Sequence, residues 1–245
     1  MNVTKQGVVK VLRLIVVTGG IVVSSSGLSA LEIAQQPGNS GRFAQLCREK
    51  ASLSLETKHT VEVLLQKAET TDCDAANQKL LSLLRLDLYN TKISDITPLQ
   101  GLTNLNELNL GSNKISDITP LQGLTNLTML WLDNNKISDI TPLQGLTNLT
   151  SLSLITNKIS DITPLQGMTN LEILYLNKNK ISDITPLQGL SNLTFLNLNS
   201  NKISDITPLQ GLTNLNVLYL SGNAIAPQTC PLKPNICKWE PVTTN

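Results

Sequence analysis

Aromatic residues, histidine and any surplus of one charge are scarce in this sequence of 245 residues. Phe, Trp and Tyr together make up 3% of the chain, and His59 is its single histidine. With one histidine and no glycine-rich phosphate loop, the chain lacks the side chains for a catalytic triad or for phosphoryl transfer. Nineteen basic against eighteen acidic residues give no basic surplus of the kind that nucleic-acid binding requires. The composition therefore disfavours an enzyme and a nucleic-acid-binding protein, and we expect no cofactor and no metal.

Apolar residues are abundant, at 40% of the chain, and most are Leu or Ile. From Leu83 the pattern L-x-x-L-x-L-x-x-N-K-I-S-D-I-T-P-L-Q-G-L-T-N recurs every 22 residues. Six full units occupy residues 83–214, and a seventh begins at Leu215 but loses the pattern after Asn223. This spacing is typical of leucine-rich repeats. Because one unit cannot bury its apolar face alone, the units are expected to stack into a solenoid of about seven coils.

The positions within a unit, counted from its first Leu, predict the fold of each coil. Leucines at positions 1, 4 and 6 point inward from a short strand, so positions 3, 5 and 7 face outward on the concave side of a parallel sheet. In the first unit, Thr97 followed by Pro98 is typical of the cap and first position of a short helical turn, and Gly101 provides its exit. The fold class is therefore an α/β solenoid, a leucine-rich repeat horseshoe whose convex side consists of turns or 3₁₀ segments.

Position 9 carries a polar residue among apolar neighbours in almost every unit. An amide in that setting costs free energy unless it is hydrogen-bonded. A stacked ladder in which each Asn satisfies backbone groups is therefore expected, with Thr91 replacing Asn in the first unit. The ladder consists of Asn113, Asn135, Asn157, Asn179, Asn201 and Asn223.

The outward positions 3, 5 and 7 vary between units, whereas the convex Ser, Asp, Thr and Gln columns hardly vary. Five of the seven aromatic residues after residue 36 occupy these outward positions. Aromatic side chains favour strands in any case, and exposed positions drift when nothing constrains them. The alternative is a binding surface, because Trp and Tyr combine large contact area with a polar tip that suits protein or glycan ligands. We predict that a protein or glycan binds to Met129, Trp131, Ile173, Tyr175, Phe195 and Tyr219.

Two columns of charge run along the solenoid. Position 10 gives Lys92, Lys114, Lys136, Lys158, Lys180 and Lys202, and position 13 gives Asp95, Asp117, Asp139, Asp161, Asp183 and Asp205. The Lys column could hold an anionic polymer, and the Asp column could bind calcium, although no D-x-D-x-D-G loop is present. In the simpler interpretation each Lys lies close to its own Asp and both are solvated. An alternative function follows from the regularity of the columns, namely a self-associating structural component of a cell surface or matrix.

Both ends of the repeat array are predicted to be capped. Residues 37–82 form a helical N-terminal cap, with one helix over 54–68 and a second over 74–84, and residues 224–245 form a C-terminal cap. All four cysteines lie in these caps, and the favoured pairing among three is Cys47 with Cys73 and Cys230 with Cys237. A zinc site is the competing use of four cysteines. Seven strands at about 4.8 Å spacing hold the two caps roughly 30 Å apart, so the four cysteines cannot share one zinc ion.

The first 36 residues are predicted to direct export. Lys5, Lys10 and Arg13 precede an apolar run over 14–23 and a small-residue stretch over 24–30, which is the order of a secretory signal peptide. An uncleaved membrane anchor is the alternative, since residues 14–31 carry no charge. A disulfide framework fits the same oxidising destination. We expect a secreted, periplasmic or cell-surface protein that touches a membrane only if the segment remains as an anchor.

The repeat block from Lys114 to Leu121, with its five siblings, resembles that of the bacterial internalin-type leucine-rich repeat proteins. The N-terminal cap around His59 and Cys73, and the closing stretch from Ile236 to Trp239, also resemble secreted cyanobacterial leucine-rich repeat proteins. This resemblance implies a curved, non-catalytic binding scaffold whose partners lie in the concave face. The immunoglobulin-like module and the L-P-x-T-G sorting signal typical of internalins do not occur in the sequence, so the resemblance does not extend to host-cell invasion or covalent wall attachment.

Overall fold

The structure is a computed structural model that describes residues 13–17, 20–24, 41–233 and 235–240. The chain divides into two compact units, Met1–Ser40 and Gly41–Asn245. In the first unit, β1 (Arg13–Val17) pairs antiparallel with β2 (Gly20–Ser24). The rest of the predicted export segment lies outside the described residues. No helix within the described ranges has the length and apolar character needed to cross a bilayer.

Three helices form the N-terminal cap of the second unit: α1 (Arg42–Arg48), α2 (Leu55–Ala68) and α3 (Cys73–Ser82). Helix α2 begins where the Ser54 hydroxyl accepts the N–H of Thr57, and α3 begins where the Asp72 carboxylate accepts two backbone N–H groups. Both side chains satisfy donors that a helix start leaves open. Helix α1 was not predicted. It spans only seven residues and follows Gly41, which offers no side-chain cap, so its start carries no local signal.

The repeats form a parallel sheet in which each coil contributes one three-residue strand. Residues at the same unit position lie opposite each other in neighbouring strands, as with Leu86 and Leu108. Each strand is extended by a backbone hydrogen bond from position 6 to position 5 of the next coil, such as that from Leu88 to Asn109 at 2.8 Å. The strands are β3 (Arg85–Asp87), β4 (Glu107–Asn109), β5 (Met129–Trp131), β6 (Ser151–Ser153), β7 (Ile173–Tyr175), β8 (Phe195–Asn197) and β9 (Val217–Tyr219).

The return of each coil is a 3₁₀ turn at positions 15–17, as in Thr97–Leu99, which confirms the short convex side. The Leu and Ile of positions 4, 6, 11, 14, 17 and 20 are buried in all six full units, with Met168 replacing Leu once. Thr97 is not the cap of its turn but its first residue. The N-cap residue is Ile96, and the carboxylate of Asp95, one residue earlier, accepts the Thr97 N–H on Oδ1 at 2.8 Å.

The Asp column repeats this capping contact in every full unit, with an Oδ1 to N distance of 2.8 Å each time. No Lys of its column forms an ion pair with its own Asp among the described residues. The ion pairs among the described residues are Arg48–Asp74, Lys79–Glu69 and Arg85–Glu107. The Asp carboxylates turn toward the backbone because the open N–H groups of each 3₁₀ turn need an acceptor, while the Lys side chains remain exposed.

Position 9 carries the hydrogen bonds that join successive coils. Asn135 is typical: its Nδ2 donates to the carbonyls of Leu110, Leu132 and Asp133 at 3.0–3.1 Å, and its Oδ1 accepts the N–H of Ile115 at 2.9 Å. The amide thus satisfies backbone groups of its own coil and of the preceding one. In the first coil the Thr91 hydroxyl donates to Leu88 and Asn113 instead.

The C-terminal cap continues the sheet. The strand β10 (Cys237–Lys238) pairs parallel with β9, and Cys237 lies opposite Leu218. The sheet thus has eight strands in chain order rather than the seven that the repeats supply. Sequence reasoning missed β10 because this segment carries none of the repeat pattern. The disulfide Cys230–Cys237 closes the cap at this end, and Cys47–Cys73 joins α1 to α3 at the other.

Candidate ligand-binding face

The concave face consists of three outward columns, at unit positions 3, 5 and 7. Regular strand register places each outward residue beside its counterparts in the two adjacent coils, at the inter-strand spacing of about 4.8 Å. Along position 5 the order is Asp87, Asn109, Trp131, Ser153, Tyr175, Asn197 and Tyr219, followed by Lys238 of β10. Side chains far apart in sequence therefore form one continuous surface.

An aromatic patch of Tyr175, Phe195 and Tyr219 occupies the far half of this face. The ring centroid of Phe195 lies 4.7 Å from that of Tyr175 and 5.7 Å from that of Tyr219, with the rings tilted by 44° and 52°. These are distances and angles at which aromatic rings attract one another. All three rings are half-buried, so each packs on its neighbours and still offers surface to a ligand.

The other three predicted ligand residues lie on the same face but not in the ring contacts. Ile173 is directly opposite Phe195 in the next strand and extends the aromatic patch, whereas Met129 and Trp131 lie on β5, two strands away. Each of the three is half-buried. The structure thus brings Ile173, Tyr175, Phe195 and Tyr219 together. The serines of β6 separate Met129 and Trp131 from these four residues.

The first end of the face is polar. Arg85 forms an ion pair with Glu107 across one strand spacing, with an Nη2 to Oε1 distance of 3.0 Å. The Asp87 carboxylate accepts the N–H of Tyr89, and Asn109 accepts that of Gly111, so position 5 satisfies the backbone two residues later. The Tyr89 ring packs over Gly111, where a Cβ would lie only 3.2 Å from the ring. The tyrosine itself is 56% exposed. This end offers few unsatisfied groups to a ligand.

The centre of the face contains an acidic residue in an unusual setting. In coil 4, position 5 is Ser153, whose side chain is shorter than the Asp and Asn that accept the N–H two residues later in coils 1 and 2. Asp133 of coil 3 accepts that N–H, which belongs to Ile155, instead. The Asp133 Oδ1 accepts the Ser153 hydroxyl and the N–H of Ile155, the latter at 3.1 Å. Burial raises the pKa of the Asp133 carboxyl, and these hydrogen bonds offset the rise only in part.

Sequence reasoning missed two sets of contacts that hold the face in place. The single histidine is not merely a surface residue of its helix, because its Nε2 donates to the Thr91 carbonyl of the first coil at 2.8 Å. A second ladder stacks the coils at position 22. From the second unit on, each Asn donates to the position-21 carbonyl of the preceding unit, as Asn126 does to Thr103 at 2.9 Å, whereas Asn104 of the first unit donates to the carbonyl of Leu81 in α3. The recurrence of Asn at position 22 was the available signal. Its other members are Asn104, Asn148, Asn170, Asn192 and Asn214.

Comparisons with known proteins agree with this architecture. The family described as "Leucine Rich repeats (2 copies)" matches residues 81–123, 125–167, 147–189, 169–211 and 191–229. The fold is similar to an internalin (inlF) from Listeria monocytogenes str. 4b F2365, with 33% identity, a TM-score of 0.63 and coverage of 75% of this chain and 64% of that chain. It is also similar to an internalin C2 (inlC2) of the same strain, with 32% identity, a TM-score of 0.57 and coverage of 73% and 91%.

A comparison with curated protein sequences found no match. The chain spans about 64% of the length of the inlF chain. The class defined by this geometry is a capped solenoid with a parallel sheet on one side. The chain belongs to the leucine-rich repeat family and is internalin-like, a fold that is typical of non-catalytic protein-interaction scaffolds.

Proposed function

We propose that this protein is an extracytoplasmic binding protein that holds a protein ligand on its concave face. The observation that carries the proposal is the contiguous, half-buried packing of Tyr175, Phe195 and Tyr219. Partly exposed aromatic clusters on a rigid sheet provide large contact area at small entropic cost, which is the property of interface hot spots. Met129, Trp131 and Ile173 extend the same surface toward the centre of the solenoid.

A protein ligand is favoured over a glycan because the fold is that of a protein-interaction scaffold. Export is supported by the order of residues 1–36 and by the two disulfides, which persist in oxidising compartments. The protein would then act in a periplasm, at a cell surface or after release. The self-associating alternative has less support, since the Asp column caps its own 3₁₀ turns and offers no regular ion-pair partner to the Lys column.

Ligand capture tests the proposal. The full chain, a Y175A/F195A/Y219A variant and a matched Q166A/Q188A/Q210A variant would be exposed to cell-surface proteins, and the bound proteins would be identified by mass spectrometry. The three glutamines are exposed on the convex side of coils 4 to 6, so their removal changes a comparable number of side chains on the opposite surface. A protein that is retained by the wild type and the glutamine variant but lost by the aromatic variant supports concave recognition. Loss only with the glutamine variant would contradict it.

A further inference from the structure

A strip of one charge follows the strands along the solenoid. In coils 1 to 6, unit positions 8 to 12 contain seven lysines and no acidic residue. Six of these lysines form the Lys column at position 10, and Lys178 at position 8 of coil 5 is the seventh. We call positions 8 to 12 of these coils the basic strip, which runs from residues 90–94 in coil 1 to residues 200–204 in coil 6. The strip lies outside the proposed binding face, which consists of positions 3, 5 and 7.

Backbone hydrogen bonds fix the spacing of the Lys column. From coil 2 to coil 6, the N–H of each position-10 Lys donates at 2.8 Å to the carbonyl of the position-11 Ile in the preceding coil, as Lys136 does to Ile115. The Ile is buried and the Lys is exposed in each of the six coils. At about 4.8 Å per coil, the six lysines stand in a row about 24 Å long. Coil 7 makes the same backbone contact through Ala224, so the row of charges ends there.

The Asp column does not neutralise the basic strip. In coils 2 to 6 an exposed Ser at position 12 lies between the Lys and the Asp, and each Asp accepts the N–H of its own 3₁₀ turn. Hydrogen bonds from the Thr two residues later lower the pKa of the Asp139 and Asp183 carboxyls, and the charge of Asp161 opposes this lowering. In the described part of the chain, no ion pair includes a Lys of the column. Solvent and mobile ions therefore screen the row of ammonium groups.

A row of ammonium groups favours a linear polyanion over a compact anion. A compact anion reaches one or two lysines, and an exposed ion pair of that kind contributes little free energy. A polymer neutralises several lysines at once and releases the counterions that had screened them. The four-carbon stem of each Lys is flexible, so the charges of the polymer need not repeat at the spacing of the coils.

The other groups of the strip favour a polysaccharide among linear polyanions. The exposed serines of position 12 form a row of hydroxyl groups beside the lysines, and a hydroxyl both donates and accepts hydrogen bonds. Parallel rows of ammonium and hydroxyl groups fit a polymer in which each unit carries a carboxylate and hydroxyls. A nucleic acid fits less well, because positions 8 to 12 contain no aromatic residue on which a base would stack.

We infer that the basic strip binds a linear acidic polysaccharide, whose carboxylates lie against the Lys column and whose hydroxyls lie against the serines of position 12. This site goes beyond the proposed function, because it uses none of the residues of the aromatic patch and needs no protein ligand. It would hold the protein on an acidic polymer while the concave face remains free to bind its protein ligand.

The test uses polygalacturonate, a linear polymer of a carboxylated sugar, and its fully methyl-esterified form as the uncharged control. Binding of the full chain to each immobilised polymer would be measured by surface plasmon resonance in calcium-free buffer at several salt concentrations. We expect binding to polygalacturonate in roughly the micromolar range at about 50 mM salt, a loss of at least about tenfold by about 200 mM, and no binding to the ester. The variant K136Q/K158Q/K180Q should bind polygalacturonate at least about tenfold more weakly than the wild type.

Matched variants separate the strip from the net charge of the protein. K50Q/K67Q/K233Q removes the same number of charges outside the strip, so it should bind polygalacturonate within about threefold of the wild type. S138E/S160E keeps every Lys but places carboxylates beside the column, so it should also weaken binding. Thermal unfolding of each variant checks that the fold is retained.

The concave-face variant Y175A/F195A/Y219A should bind polygalacturonate like the wild type even though it loses the protein ligand, so the two proposals can fail separately. Equal losses in the two lysine variants, unchanged binding in S138E/S160E, equal binding to the ester, or no measurable binding would each overturn the inference. Tighter binding of single-stranded DNA than of polygalacturonate at the same salt concentration would overturn the assignment to a polysaccharide. Loss of polymer binding in Y175A/F195A/Y219A would place the polymer on the concave face and contradict the inference as well.

Discussion

The Oδ1 atom of Asn135 lies 2.9 Å from the backbone nitrogen of Ile115, twenty residues earlier in the chain. Together with three carbonyl contacts from Nδ2, this bond makes one side chain a buried polar link between two coils. Six such links hold the strands in register, and the register in turn aligns the outward columns. The binding face therefore depends on residues that a ligand never touches.

Replacing Asn135 by Ala should lower the free energy of unfolding by roughly 3 kcal/mol, because a buried N–H and several carbonyls lose their partners at once. Urea unfolding followed by circular dichroism measures the change. Asn126→Ala is the matched control, since Asn126 is exposed and makes one ladder contact, and it should cost less than about 1 kcal/mol. An equal loss of unfolding free energy in the two variants would show that the buried Asn ladder stabilises the protein no more than the exposed one.

The glycines that end the 3₁₀ turns provide a pair of substitutions that differ only in backbone conformation. Gly145 has a φ of +98°, whereas Gly211 lies outside the positive-φ region, and a Cβ would meet open space at both. Gly145→Ala should therefore destabilise the protein by about 1–2 kcal/mol, and Gly211→Ala should be neutral or slightly stabilising because it restricts the unfolded chain. Thermal unfolding compares the two, and a larger loss at Gly211 would contradict the argument.

Thr156 holds a left-handed conformation, with φ of +55°, at unit position 8. This conformation is unfavourable for a β-branched residue, whereas Asn tolerates it. Asn90 and Asn134 have the same conformation at the same position in coils 1 and 3. We expect Thr156→Asn to stabilise the protein by about 1 kcal/mol, measured as a higher urea midpoint. A lower midpoint would mean that the Thr156 side chain contributes contacts that outweigh its strain.

The N-terminal cap should be sensitive to acid through Asp95. Burial raises the pKa of this carboxyl, but hydrogen bonds from Thr57 and Thr97 outweigh burial and lower it below the ordinary value. A carboxyl with a lowered pKa in the folded state contributes stability above its unfolded pKa of about 3.9, and that contribution is lost as pH falls through the folded value. Nuclear magnetic resonance titration of the Asp95 carboxyl should show a midpoint below the ordinary value.

Two substitutions at Thr57 isolate the contact behind this shift. Thr57→Val removes the hydroxyl donor and should raise the pKa of Asp95 toward its ordinary value, whereas Thr57→Ser keeps the donor and should preserve the lowered pKa. Since the same contact joins α2 to the first coil, the valine variant should also lose cap stability above pH about 4. An Asp95 midpoint that is the same in both variants would assign the shift to other groups.

The 22-residue period was sufficient to predict the inward columns, a short strand in each coil and a convex side of short turns or 3₁₀ segments. Each of these depends on the pattern within one unit and on the stacking of identical positions in successive units. It could not predict β10, since Cys237 and Lys238 enter the sheet through a cap that does not repeat. It did not predict the backbone partner of the Asp column, because the spacing of Lys and Asp carries no information about the open N–H groups of the turn. The hydrogen bond from the Ser153 hydroxyl to Asp133 was not predictable from the repeat either, because coil 4 is the one unit with a serine at position 5.

The candidate face was predictable as a set of positions but not as contacts. Strand alternation placed Tyr175, Phe195 and Tyr219 on one surface, and register then determined which rings touch. The role of each residue in ligand binding remains a prediction, as does the likeness of the caps to secreted cyanobacterial proteins.

Shielding of Trp131 by a bound ligand tests the central proposal most directly. In a Trp239→Phe background Trp131 is the single tryptophan, and acrylamide quenching of its fluorescence would be measured with and without a protein ligand captured as described above. If the ligand lies on the concave face, the quenching constant should fall several-fold on binding, and Y175A/F195A/Y219A should show no fall at the same ligand concentration. A ligand that binds tightly while the quenching of Trp131 stays unchanged would place recognition elsewhere on the solenoid and contradict the account.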